Sequence, residues 1–147
     1  MRSLVERNPD IVVLYPVHLN PSVREPVFRV LGQVDRVVLT DPVEYDVMAH
    51  LMNAAYLVLT DSGGIQEEAP ALGKPVLVMR TETERPEAVE AGAARLVGTD
   101  VETIVGGVAT LLQDPVQYAA CQIDENPYGD GRASERIMKI VRERLCG

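Results

Sequence analysis

Two rhythms of apolar residues alternate along the chain. Largely apolar runs of strand length occupy residues 11–15, 36–40, 56–60, 75–79 and 94–97, and the fully apolar, β-branched run at 11–15 predicts a strand buried on both faces. Between them the apolar positions recur at helical spacing. Val23, Val27, Val30 and Leu31 share one face of residues 22–31, with Asn20 placed to cap and Pro21 at the first position. Pro26 must kink that helix or sit in its first turn, and Gly32 ends it. Val47, Met48, Leu51 and Met52 mark a helix over 43–55, and residues 86–91 form a short one that Gly92 stops. Asp100 caps a long helix, Val101–Gln113, with a stripe of Ile104, Val105, Val108, Leu111 and Leu112. Asp114-Pro115 reads as its terminator, followed by a turn. Residues 1–7 resemble the last turns of a helix that Asn8-Pro9-Asp10 breaks. A final amphipathic helix, Ala133–Leu145, is expected to turn Ile137, Ile140, Val141 and Leu145 inward. Strands alternating with helices of these lengths predict an α/β fold, a Rossmann-like, doubly wound parallel sheet with helices on both faces. No fixed-period repeat interrupts the pattern, so residues 1–147 read as one module, with 132–147 its C-terminal helix.

The stretch 56–80 organises this plan. An apolar run gives way to Asp61-Ser62-Gly63-Gly64, then to a short helix that Gly73 closes, and Pro75 opens the next run. In a parallel sheet such a turn lies at the carboxyl ends of the strands, where its N–H groups meet the positive end of a helix. Two glycines let a diphosphate approach the backbone, and Ser62 Oγ can donate one further hydrogen bond. Spacing alone leaves a phosphate cradle and a ligand-free turn equally open. Asp61-Ser62-Gly63-Gly64 also invites comparison with chymotrypsin-like proteases, but those are all-β barrels, and neither His18 nor His50 sits in a protease-like motif. Glu67 and Glu68 are adjacent and point about 100° apart on a helix, so they form no acid/base dyad on one face.

Composition narrows the partners. Hydrophobic residues make up 46% and charged residues 24% of 147, ordinary for a globular domain. A net charge of −8 without a basic cluster argues against nucleic acid. Cys121 and Cys146 lack the spacing of a zinc site or a disulfide scaffold, which fits a reducing compartment, and no metal is expected. No run of eighteen apolar residues occurs and no signal-peptide pattern opens the sequence, so a soluble, cytoplasmic chain without membrane partners is expected.

Several segments together resemble the bacterial non-hydrolysing UDP-N-acetylglucosamine 2-epimerases. They are Asp61-Ser62-Gly63-Gly64-Ile65-Gln66-Glu67-Glu68-Ala69-Pro70, Gly73-Lys74-Pro75-Val76-Leu77, Arg80, Thr83-Glu84-Arg85-Pro86-Glu87 and Asn126-Pro127-Tyr128-Gly129-Asp130-Gly131. Tyr15-Pro16-Val17-His18-Leu19-Asn20-Pro21 fits the same family. That family has two Rossmann-like domains in the GT-B arrangement, and the resemblance covers the second only. It implies that Ser62, Gly63 and Gly64 hold the diphosphate of UDP and Glu68 the ribose hydroxyls. Met48, in a place usually aromatic, would line the uracil pocket with an apolar contact but no flat stacking. Arg80 and the Glu84-Arg85 pair would position phosphate or sugar, a surface ion pair being the competing account. His18 is similar to a histidine of a second, allosteric UDP-N-acetylglucosamine site, although a histidine in a strand-exit loop is more often a loop hydrogen-bonder.

The resemblance further implies interconversion of UDP-GlcNAc and UDP-ManNAc through elimination and re-addition of UDP, without a cofactor, in a homodimer serving cell-envelope polysaccharide synthesis. The family's acid/base carboxylates belong to the first domain, so no catalytic residue is expected here. By the same resemblance the chain begins inside the helix after the second domain's first strand, and one central strand is expected to be missing. Two alternatives stay open: the donor-nucleotide domain of a GT-B glycosyltransferase, against which Thr83-Glu84-Arg85-Pro86-Glu87 speaks, and a nucleotide-sugar-binding module without chemistry.

Overall fold

A computed structural model describes residues 1–123 and 125–145. The chain divides into two compact units, one from Met1 to Ala54 and one from Ala55 onward. Both are built from parallel strands joined through helices, the doubly wound α/β class that the alternation of elements predicts.

The first unit contains α1 (Arg2–Arg7), β1 (Val13–Pro16), α2 (Pro21–Leu31), β2 (Val37–Thr40) and α3 (Tyr45–Ala54). β1 and β2 run parallel, with Val13 opposite Val37 and Pro16 opposite Thr40. Asn20 caps α2 as expected: its side-chain oxygen accepts the Ser22 N–H at 3.0 Å, and Pro21 takes the first position. Pro26 lies inside the helix rather than in its first turn. Arg36, with a left-handed φ of 63°, donates through its guanidinium to the carbonyls of Val5, Asn8 (2.8 Å) and Ile11 (3.1 Å). One cation thus ties the last turn of α1 to its cap residue and to Ile11 ahead of β1.

The expectation of a first strand buried on both faces is corrected. Val12 and Leu14 are 65% and 42% exposed, and Val38 of β2 is exposed as well. The β1–β2 ladder has two strands, so an apolar run here marks strand propensity without guaranteeing a layer over each face. Val30 of α2 and Val47 of α3 are likewise exposed, whereas Leu31 and Met52 are buried.

The second unit contains β3 (Val58–Thr60), α4 (Gly63–Ala71), β4 (Val76–Val78), α5 (Pro86–Glu90), β5 (Ala94–Leu96), α6 (Val101–Gln113), α7 (Pro115–Ala120) and α8 (Ala133–Leu145). Its parallel sheet has the order β3-β4-β5, with Val58 opposite Val76 and Val76 opposite Ala94. β4 is central, and all three of its residues are buried, as a parallel strand between two neighbours requires. α6 covers it with Val105, Val108 and Leu111. A β-carbon on Gly107 would lie 3.0 Å from Val97 Cγ1 and 3.5 Å from Leu77 Cδ1, so this glycine lets helix and sheet meet.

Gly73 closes α4 with a φ of 67°: its N–H reaches Pro70 O at 2.9 Å and the Lys74 N–H reaches Ala69 O at 3.1 Å. Such a left-handed residue satisfies carbonyls at the helix end, and glycine adopts it without a β-carbon penalty.

Three expectations differ from this unit. Tyr56 does not enter the third strand, which begins at Val58. Its ring instead lies 4.3 Å from that of Tyr118, whose hydroxyl donates to Tyr56 O at 2.8 Å. A helix, α7, stands where a turn was expected, because Asp114 ends α6 and also accepts the Val116 and Gln117 N–H groups. Ile137, Ile140, Val141 and Leu145 of α8 do not face inward. They are 58%, 50%, 37% and 79% exposed. Helical periodicity identifies an apolar face and says nothing about which layer covers it. Cys121 is a buried free thiol, and Cys146 lies outside the described residues. Among the described residues no helix is long and apolar enough to cross a membrane.

Candidate functional site

The site is built on the connection from β3 to α4. Thr60 Oγ1 accepts the Ser62 N–H at 3.0 Å, which bends the chain out of the strand. α4 then starts at Gly63 with Ser62 as its cap residue, but the Ser62 side chain makes no cap bond and is exposed. The first bond into the helix runs from Gln66 N–H to Ser62 O at 3.3 Å. The N–H groups of Gly63, Gly64 and Ile65 precede that bond and have no intrahelical acceptor. Neither Gly63 nor Gly64 has a positive φ, and the nearest atom to a β-carbon on either would be 3.9 Å away. The backbone does not require glycine at these positions. Two residues that weaken a helix therefore stand at its start with room above them.

A cation faces this opening. A β-carbon on Gly63 would lie 3.9 Å from Arg85 Nη2 and 4.0 Å from its Cζ. Arg85 is held there by Glu67, which accepts from Arg85 Nε. The hydrogen bond to Glu67 and the charge of that carboxylate push the guanidinium pKa up. Glu68 stands beside the second glycine, with Oε1 3.9 Å from a β-carbon on Gly64. The two adjacent glutamates have different neighbours, Arg85 for Glu67 and Gly64 for Glu68, as their angular separation on the helix requires.

Arg80 follows β4 at the same end of the sheet, where Met79 N–H donates to Thr60 O at 2.8 Å. Its guanidinium binds both oxygens of Glu84, at 2.7 and 2.9 Å. That hydrogen bonding raises the Arg80 pKa, with smaller contributions from the charges of Glu82 and Asp61, and holds Glu84 below the ordinary glutamate range. The pair is exposed and adds little to stability. Arg80 therefore forms an ion pair with Glu84, and the guanidinium beside the glycines is that of Arg85.

Gln66 lies beneath the turn and is completely buried. Its Nε2 donates to Ser62 O at 3.2 Å and its Oε1 accepts from Thr83 Oγ1 at 2.6 Å, while Thr83 Oγ1 accepts the Arg85 N–H at 3.0 Å. Tyr128 grips the same loop: its hydroxyl accepts the Ala88 N–H at 3.2 Å and donates to Arg85 O at 3.4 Å. Burial pushes the Tyr128 phenol pKa up, which keeps this donor protonated. The Ser-Gly-Gly turn, the Thr-Glu-Arg-Pro-Glu loop and the Asn-Pro-Tyr-Gly-Asp-Gly segment therefore form one hydrogen-bonded cluster.

A sequence profile of the UDP-N-acetylglucosamine 2-epimerase family matches residues 1–142. The chain belongs to that family. The UDP-N-acetylglucosamine 2-epimerase of Escherichia coli K12 is 58% identical over 142 residues, which are 97% of this chain and 38% of the relative. Among solved structures, the UDP-GlcNAc 2-epimerase of Neisseria meningitidis bound to UDP-GlcNAc superposes with a TM-score of 0.91 at 45% identity, over 96% of this chain and 38% of the other. The S. aureus MnaA–UDP co-structure gives 0.91 at 43% identity, over 98% and 40%. The chain thus spans about two fifths of the length of these members of the UDP-N-acetylglucosamine 2-epimerase family.

Of the residues singled out from the sequence, Ser62, Gly63, Gly64 and Glu68 share the first turns of α4, and Arg80 lies past the neighbouring strand. Met48, half-buried on α3, and His18 belong to the first unit. His18 Nδ1 accepts the Asn20 N–H at 3.1 Å, so the neutral ring carries its proton on Nε2. Gln66 and Thr83 had no assigned role, and Arg85 had only a shared one with Glu84. Gln66 did carry a signal: it shares a helical face with Ala69 and Pro70, and a polar residue on a buried face is the informative exception.

Proposed function

We propose that the opening above Gly63 and Gly64 receives the diphosphate of UDP, and that this chain is the UDP-binding half of a UDP-N-acetylglucosamine 2-epimerase. The observation that carries the reading is the uncapped turn with the Arg85 guanidinium beside it. Three N–H groups, the Ser62 hydroxyl and one cation converge where helix polarity already favours an anion. Glu68 stands one turn in, where a carboxylate can accept both ribose hydroxyls. Arg80 can join the phosphate or the sugar by exchanging one oxygen of Glu84 for a ligand oxygen. The roles of Met48 at the uracil and of His18 at a second nucleotide-sugar site rest on the family resemblance alone.

In the reaction, UDP-GlcNAc and UDP-ManNAc interconvert as the C1–O bond to UDP breaks, a 2-acetamidoglucal forms with loss of the C2 proton, and UDP re-adds after protonation of the other face. Negative charge grows on the leaving β-phosphate as the bond breaks. Donors fixed beforehand at Gly63, Gly64 and Arg85 stabilise that charge more than the ground state, which lowers the barrier. The proton transfers at C2 require the part of the family's length that this chain does not span. Isothermal titration should therefore show UDP binding, while mass spectrometry of UDP-GlcNAc should show no epimer with this chain alone and epimer once the remaining portion is supplied. A folded protein that takes up no UDP would sink the proposal.

A further inference from the structure

We propose that Gln66 is a positioning residue that sets the Arg85 guanidinium against the first turn of α4 through Thr83. The inference rests on the diphosphate reading above. Its basis is a chain of hydrogen bonds with a fixed direction. Ser62 O can only accept, so the Gln66 amide must present Nε2 to it and Oε1 to Thr83. Thr83 must then donate its hydroxyl proton to Gln66, which leaves a lone pair for the Arg85 N–H. The relay runs from the Arg85 backbone through Thr83 and Gln66 to the carbonyl of the cap residue. Bonds aligned in this way polarise one another.

Both ends of the relay belong to the candidate site; between them Thr83 is half-buried and Gln66 is shut away from solvent. Gln66 is 0% exposed, so it acts on a ligand only through its partners. An apolar side chain could fill the same space beside Ala69 and Pro70, because buried volume alone requires no amide. The amide bridges two segments 17 residues apart, one bearing the glycines and the other bearing Arg85. Glu67 holds the Arg85 guanidinium and Tyr128 its carbonyl, and the Gln66–Thr83 relay fixes the Arg85 backbone N–H; a merely space-filling residue at position 66 would remove that third anchor. Small displacements of a charged donor weaken its contact with phosphate steeply.

The test is calorimetric titration of UDP into the unaltered protein and into Gln66→Glu, Thr83→Val and Thr83→Ser, with thermal melting of each. Ionised Gln66→Glu keeps an acceptor for Thr83 but repels Ser62 O, so affinity should fall about tenfold at mildly alkaline pH. Relative to the unaltered protein at the same pH, affinity should return on acidification as the buried carboxyl regains its proton and its donor. Thr83→Val should weaken binding by about tenfold and Thr83→Ser should preserve it. If Gln66→Glu does not fold, the two Thr83 variants decide. Affinities within about twofold of the unaltered protein, with only the melting temperature lowered, would overturn the positioning role. Failure of the unaltered protein to bind UDP would overturn the diphosphate site, and this inference with it.

Discussion

Two strand-to-helix connections in this molecule solve the same local problem in opposite ways. Between β1 and α2 the chain satisfies its own helix end: the Asn20 oxygen takes the Ser22 N–H, and Pro21 has no N–H to satisfy. Between β3 and α4 the cap side chain makes no bond, two glycines follow, and Arg85 stands beside them. The first connection is complete without a ligand. The second leaves the N–H groups of its first turn without a side-chain cap, beside a guanidinium that Glu67 holds in place, which is the arrangement on which the proposed diphosphate site rests. A helix N-terminus is thus a capped structural end or an anion cradle according to two or three residues, and the same parallel architecture supports both.

The largest effect should come from closing the open connection. Gly63→Val places branched carbons toward Arg85 Nη2, which lies 3.9 Å from the β-carbon position, and should reduce UDP affinity by about a hundredfold or more. Circular dichroism would verify that the fold survives. Arg85→Ala should weaken UDP binding by about ten- to a hundredfold by calorimetry, with Arg85→Lys a poor substitute because it lacks the planar fork.

Removing each cap residue then tests the contrast directly. Asn20→Ala should lower unfolding free energy by about 1 kcal/mol in urea titration. Ser62→Ala, with no cap bond to lose, should stay within about 0.5 kcal/mol of the parent while weakening UDP binding. Equal stability losses would erase the distinction between the two ends. Gly64→Ala should raise stability by about 0.5 kcal/mol, since its φ is compatible with alanine, and should lower UDP affinity at the same time.

The smallest effect concerns acid. The Arg80 hydrogen bond holds the Glu84 pKa below its ordinary value, so the unfolded chain takes up that proton at a higher pH than the folded one. The pair's contribution is fully present above the ordinary glutamate range and is lost as pH falls through the depressed value. Melting curves of the parent and Glu84→Gln should differ slightly near neutrality and converge in strong acid. Added salt should shrink the difference, because the pair is exposed.

Much of the fold was legible because its signals are local. α6 spans Val101–Gln113 behind the cap Asp100, Gly73 closes α4 in a left-handed conformation, and each of the five strands overlaps an apolar run. The misreadings share one cause. Asp114-Pro115 stops a helix by its backbone geometry, yet the same Asp114 side chain starts α7. Tyr56 has strand propensity, but Tyr118 draws it away from the ladder. The apolar stripes of α2 and α8 name faces without naming what lies against them.

The candidate site divides in the same way. The sequence by itself determined the glycine turn at Ser62-Gly63-Gly64, the helix polarity behind it and membership of the family, since these depend on neighbouring residues and on motif spacing. Only the tertiary structure decided that Arg85 rather than Arg80 stands beside Gly63, that Glu67 holds it and Glu68 does not, and that buried Gln66 ties the two segments together. Those contacts join residues 17 and 18 positions apart across strand β4. Parallel pairing brings the ends of β3 and β4 to one edge of the sheet, and side-chain geometry at that edge selects which charges meet.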